Sequence, residues 1–170
     1  MGKIDERMYA RCPFGKAPSY LQFYLDELAA RSSGARGTLR LTLSTADLRL
    51  PGGVAVSHDV IVHFTPVSEV KYGTQITAVE WQPAGGGPFP TFSGTIAVEA
   101  DENYDSCALV VDGDYDPPYG ALGQAFDAAL GARIASATAR ELLRELKGVL
   151  EESYAREQAL AGAPLPKSTI

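Results

Sequence analysis

The stretch that most constrains this fold is Gly113-Asp114-Tyr115-Asp116-Pro117-Pro118-Tyr119-Gly120-Ala121-Leu122-Gly123. An apolar period of two gives way there to a period near 3.6, the change from a half-buried strand to an amphipathic helix. Pro117-Pro118 marks the boundary, because proline cannot donate to a β-ladder. Upstream lie five alternating runs, over 39–50, 54–64, 74–82, 91–100 and 106–115, with only turns between them. Strands joined by short turns, with no helix in between, read as an antiparallel meander. Downstream a single helical pattern runs from about 120 to 156, ~55 Å if unbroken, and its last turns are expected to fray. The last strand, the turn and the last helix thus form one continuous unit.

The remaining segments fit around that unit. Residues 8–14 read as a short first strand, closed by Cys12-Pro13 and Gly15. Ala17-Pro18-Ser19 opens a helix, since proline is tolerated in a first turn. Tyr20, Leu21, Tyr24, Leu25 and Leu28 keep helical spacing, Phe23 lies off that stripe, and Arg31-Ser32-Ser33-Gly34 ends the helix. Turns are expected at Pro51-Gly52-Gly53, 66–73, 83–88 and the acidic 101–105. Within the strands, alternation places His58, Val60, Val62 and Phe64 on one face, and Thr77, Val79 and Trp81 opposite Ala78, Glu80 and Gln82. Phe92, Gly94, Ile96 and Val98 share a face, as do Cys107, Leu109, Val111, Gly113 and Tyr115. The last helix has an apolar stripe of Leu122, Phe126, Leu130, Ile134, Ala137, Leu142, Leu146, Val149 and Leu150. Its first half is rich in Ala and Gly, which either brings it close to the sheet or leaves a void; Gly131 and Gly148 suggest a packing reason. With 170 residues, the chain reads as one domain over 1–158 and a flexible polar tail over 159–170.

Several function classes are disfavoured. Formal net charge is -6 and no two basic residues are adjacent, so no nucleic-acid partner is expected. No apolar stretch reaches 18 residues, so no membrane span is expected. The N-terminus lacks an apolar core of the secretory type. Cys12 and Cys107 have no metal or redox spacing and read as free, buried thiols, which together point to a cytoplasmic protein. There is no GxSxG elbow, P-loop or GxGxxG fingerprint, and Gly85-Gly86-Gly87 opens no helix, so no cofactor is expected.

Candidate chemical groups are few. His58 and His63 lie an odd number of residues apart on one strand and so face opposite ways, against a shared metal. Asp112, Asp114 and Asp116 imitate the start of a calcium loop, but Pro117 and Gly123 stand where Gly and Glu are required. They read as a solvated acidic face, with Asp116 also placed to cap the last helix. Trp81, Phe92, Tyr115 and Phe126 face the presumed interior, where aromatics serve either core packing or ligand contact.

Trp81-Gln82-Pro83, Pro90-Thr91-Phe92-Ser93-Gly94-Thr95, the 113–123 stretch and Arg133-Ile134-Ala135-Ser136-Ala137-Thr138 resemble a bacterial subgroup of the START-like, or SRPBCC, superfamily. The resemblance covers almost the whole chain. It implies an α+β helix-grip fold, a curved antiparallel β-sheet wrapped around a long C-terminal helix, with a hydrophobic pocket between them. Members bind lipids, sterols, quinones or polyketides, and a minority are polyketide cyclases or aromatases. The expected partner is therefore a hydrophobic small molecule, held by Tyr24, His58, Trp81, Phe92, Tyr115, Leu122 and Phe126. Two alternatives remain open. An enzyme of the cyclase or dehydratase type would need two of His58, Tyr115 and Tyr24 to converge in one cavity. A protein-interaction module would have a filled core.

Overall fold

A computed structural model describes residues 1–32, 37–43, 58–71, 74–85, 89–102, 104–117 and 128–162, with the backbone alone at some of them, His58 included. The described elements are β1 (Gly2–Ala10), α1 (Ala17–Arg31), β2 (Gly37–Leu43), β3 (His58–Lys71), β4 (Thr74–Pro83), β5 (Thr91–Ala100), β6 (Cys107–Asp116) and α2 (Ala128–Ala161). The strands form one antiparallel sheet in the order β1-β6-β5-β4-β3-β2. Strands β2 to β6 are the expected meander, and β1 adds to its last member. Leu48 to Val56, with the Pro51 turn, and the helix start at Gly120 lie outside the described residues.

Alternation along the ladders decides what is buried. Val60, Val62 and Phe64 of β3, Val79 and Trp81 of β4, and Phe92, Ile96 and Val98 of β5 form the concave face. Leu109, Val111 and Tyr115 of β6 continue it. The intervening Glu80, Gln82, Ser93, Asp112, Asp114 and Asp116 are exposed on the convex face, where the three aspartates form the expected solvated acidic row. In α1, Leu21, Leu25 and Leu28 are buried and Phe23 is exposed, as its place off the stripe requires.

Helix α2 spans the concave side. Its backbone comes nearest β1 and β6 at one edge and touches β2 at the other. Two contacts fix its direction: Arg140 lies 3.9 Å from Glu6, and Glu151 accepts a 2.8 Å hydrogen bond from the Arg11 backbone. Eleven helical residues at 1.5 Å rise about 16 Å, and five strand residues at 3.4 Å about 17 Å. Helix α2 therefore runs alongside β1 in the same direction. Ala135, Ala137 and Ala139 are buried in the described part of the helix. Leu142, Leu143, Leu146 and Leu150 follow as fully buried core.

Four expectations need correction. The first strand is Gly2–Ala10, not 8–14; Cys12 and Pro13 begin the turn into α1, where the Lys16 and Ala17 N–H groups donate to Pro13 O. Residues 66–71 are not a connection, because β3 continues through them with a register shift between Pro66 and Val70. A bulge of this kind accommodates proline in a strand. The last helix does not end near Arg156 but continues to Ala161. Finally, Gly148 has no packing reason: a Cβ built there meets nothing within 4 Å.

Candidate functional site

One cross-strand row on the concave face brings together Trp81, Phe92 and Tyr115. The registers align Gly2 with Tyr115, Tyr115 with Phe92, Phe92 with Trp81, and Trp81 with Val62. Paired residues on one face of a sheet lie close enough for their side chains to pack. The Trp81 and Phe92 rings stack with centroids 3.8 Å apart and planes 9° from parallel.

Glycines form the floor of this row. Gly94 and Gly113 are paired across β5 and β6. A Cβ at Gly94 would lie 2.3 Å from Asp112 O and 2.6 Å from Phe92 Cζ. A Cβ at Gly113 would meet Ser93 O at 2.5 Å and the same Phe92 Cζ at 2.6 Å. The Phe92 ring therefore lies down over both glycines, an aromatic cover on a glycine pair. Tyr115 repeats the arrangement over Gly2, whose built Cβ would come within 2.4 Å of the phenol ring. The Phe92 and Tyr115 rings occupy the space that a side chain at these glycines would need.

The side chains of the row carry two polar atoms, the Tyr115 hydroxyl and the Trp81 indole Nε1. Trp81 is 1% exposed, and its indole Nε1 is buried without a hydrogen-bond partner. Among the described residues it is the one buried side-chain donor or acceptor in that state. A depression of about 170 Å³ lies behind Trp81 and Phe92 and is lined by His63, Glu80, Gln82, Thr91 and Ser93, which are side chains of the convex face. His63 Nδ1 sits 3.3 Å from Thr38 Oγ1. Trp81 and Phe92 also line that depression, so it adjoins the aromatic row from the convex side.

The seven expected ligand contacts are distributed as follows. Trp81, Phe92 and Tyr115 stand side by side in the row. Tyr24 belongs to the contact between α1 and α2, its hydroxyl 3.5 Å from Glu145 Oε1. Burial, with the Glu145 carboxylate beside it, pushes the Tyr24 phenol up to about 12. His58 opens β3 opposite Leu43 and is described by its backbone alone; Leu122 and Phe126 lie outside the described residues. Gly2, Gly94 and Gly113 were missed as site-forming residues. For Gly94 and Gly113 the available signal was a glycine at a core-facing strand position two residues from an aromatic; Gly2, two residues from Ile4, offered none.

Both cysteines are buried and free. Burial pushes the Cys12 thiol up to about 12 and the Cys107 thiol to about 11. Thiols so far from ionising are poor nucleophiles. Among the described residues, no group of three or more His, Cys, Asp or Glu is placed to hold a metal, and no helix is long and apolar enough to cross a membrane.

The sheet gripping a long C-terminal helix, with an aromatic row facing that helix, defines an α+β helix-grip protein. The sequence matches the family model described as polyketide cyclase / dehydrase and lipid transport over residues 13–151, and the chain belongs to that family, part of the START-like, or SRPBCC, superfamily. Among solved structures it is similar to the Zhui aromatase/cyclase from Streptomyces sp. R1128, with TM-score 0.54 and 12% identity over 95% of this chain and 99% of that one. It is also similar to a protein from Thermus thermophilus, with TM-score 0.48 and 16% identity over 89% of this chain and 99% of that one. No curated protein matches the sequence.

Proposed function

We propose that this protein binds a hydrophobic small molecule, of lipid, quinone or polyketide-like character, between the concave face of the sheet and the C-terminal helix. The observation that carries the reading is the Trp81–Phe92 stack on its glycine floor. Branched aliphatic side chains fill most of that face; at this one row two adjacent strands present flat rings instead. Rings give a wide apolar contact for little lost side-chain freedom, which suits a ligand surface. Burying an apolar ligand there contributes roughly 25 cal/mol per Å², and the family supplies the same expectation. Trp81, Phe92 and Tyr115 are the contacts we assign on the sheet, with His58, Leu122 and Phe126 retained from the sequence pattern. Tyr24 belongs with them only if α1 borders the ligand.

Native mass spectrometry of the protein as purified from cells tests this directly. A co-purifying apolar molecule, lost on denaturation, is the expected result. Trp81 supplies a second readout, because it is the one tryptophan of the chain. Its emission should change when the extracted molecule is added back. A protein that carries no molecule, and whose emission is indifferent to lipids, quinones and aromatic ketones, would sink the reading.

A further inference from the structure

Burying a hydrogen-bond donor without an acceptor is costly, and a native structure that does so has a reason. Trp81 Nε1 is such a donor. Its surroundings in the sheet offer no remedy. Val62 and Phe92 stand directly opposite Trp81, and Val79 is two residues along the same face. None of these side chains carries an acceptor. A buried water needs two to four polar partners, and the side chains of Val62, Val79 and Phe92 supply none. The stack with Phe92 also limits reorientation, because turning the indole outward breaks a contact of 3.8 Å between ring centroids.

We infer that Trp81 Nε1 is the polar anchor of the site and that the bound molecule presents it with a neutral carbonyl oxygen. This rests on the proposed binding of an apolar ligand against the concave face. An indole N–H only donates, so its complement is a group that only accepts. A ketone, quinone or ester carbonyl does so. A hydroxyl would bring its own proton, which finds no acceptor on Val62, Val79 or Phe92. An ammonium would set donor against donor. A pure hydrocarbon fills the space but leaves the indole unpaired. The anchor thus selects among molecules of similar shape, which apolar contact alone does poorly.

The probes are 1-tetralone and tetralin, which share a bicyclic skeleton and differ by one carbonyl. Tetralin is the more hydrophobic, so apolar contact alone ranks it first. The expected result is that 1-tetralone binds the full-length protein and moves the single indole N–H proton resonance downfield, while tetralin binds without that shift. Trp81→Phe keeps a ring in the stack and removes the donor. It should weaken 1-tetralone roughly two- to tenfold, the range for one hydrogen bond, and leave tetralin nearly unchanged. The resonance shift needs no variant, so the inference remains testable if Trp81→Phe folds poorly. Binding of both probes with an unmoved indole resonance, or equal losses for both in Trp81→Phe, overturns the carbonyl anchor and leaves the hydrophobic site standing. Failure of both probes to bind overturns the site and the anchor with it.

Discussion

The two ends of the sheet are built on opposite plans. At one end, the start of β1, the end of β6 and the start of β5 carry Gly2, Tyr115, Phe92 and the paired glycines. Rings lie on bare backbone there, and a buried donor has no partner. At the other end, the last turns of α2 are tied to the start of α1 and the end of β1. Lys16 Nζ lies 2.6 Å from Glu157, Tyr20 donates to the same carboxylate, and Glu151 accepts from the Arg11 backbone. Leu142, Leu143, Leu146 and Leu150 are fully buried along the helix. One end therefore has its polar groups satisfied and its apolar volume filled by branched side chains. The other keeps an unmet hydrogen bond and adjustable ring stacks. These side-chain ties between elements lie at the end away from the aromatic row.

The largest expected effect tests that division. Leu146→Ala removes a fully buried side chain from the tied end and should cost about 2–5 kcal/mol, measured by denaturant unfolding. If the ends are separable, the Trp81 emission of the folded variant stays as in wild type. An altered emission would mean that the two ends share one packing unit.

The same small change at two glycines should then give opposite signs. Gly113→Ala puts a Cβ within 2.5–2.6 Å of Ser93 O, Gly94 Cα and Phe92 Cζ. Two of those atoms are backbone, so little can yield, and a loss of about 1–3 kcal/mol follows. Phe92 must lift off its floor, so the Trp81 emission should change as well. Gly148→Ala meets nothing within 4 Å and removes a flexible residue from a helix interior, a gain of about 1 kcal/mol. Thermal melts of both variants decide the matter; two losses would mean that the α2 surface at Gly148 is covered.

Much of the fold was legible because the concave face follows a strict period of two, and β4, β5 and β6 appear in sequence nearly residue for residue. The first strand was not. Its core-facing positions are Ile4, Glu6, Met8 and Ala10, and the charge at Glu6 breaks the apolar pattern that would reveal it. That charge is accommodated beside Arg140, a partner more than a hundred residues away. The exposed Lys3, Asp5 and Arg7 of β1 suit an edge strand but resemble a solvated terminus when read alone. Pro66 misled in a similar way: β3 pairs with β2 only as far as Phe64, so the proline stands beyond that ladder. At the candidate site the aromatics were legible and their seating was not. Which residues cover a glycine pair depends on cross-strand register, and an unpartnered indole N–H is a property of all its neighbours together.

The smallest effect concerns how the tied end responds to acid. Hydrogen bonds from Lys16 and Tyr20 hold the Glu157 carboxyl below the usual carboxylate range, and the same bond pushes the Tyr20 phenol up to about 12. Burial opposes the ionisation of Glu151, but the Arg11 backbone N–H and Lys147 outweigh it and leave that carboxyl lowered too. A carboxyl whose folded-state pKa is depressed contributes stability above its unfolded value, near 4.3 for Glu, and loses it as pH falls through the folded value. Glu157→Gln should therefore lower Tm slightly at pH 7, since exposed pairs of this kind contribute little. The gap between wild type and variant should narrow as pH falls below about 4. Glu157→Gln should also leave 1-tetralone binding unchanged, because the carboxylate belongs to the α1–α2 contact and not to the aromatic row. A Tm gap that stays constant down to pH 3 would show that Glu157 acts through packing rather than charge. A weakened ligand would show that the clamp reaches the site, and the division between the two ends would fail at its least expected point.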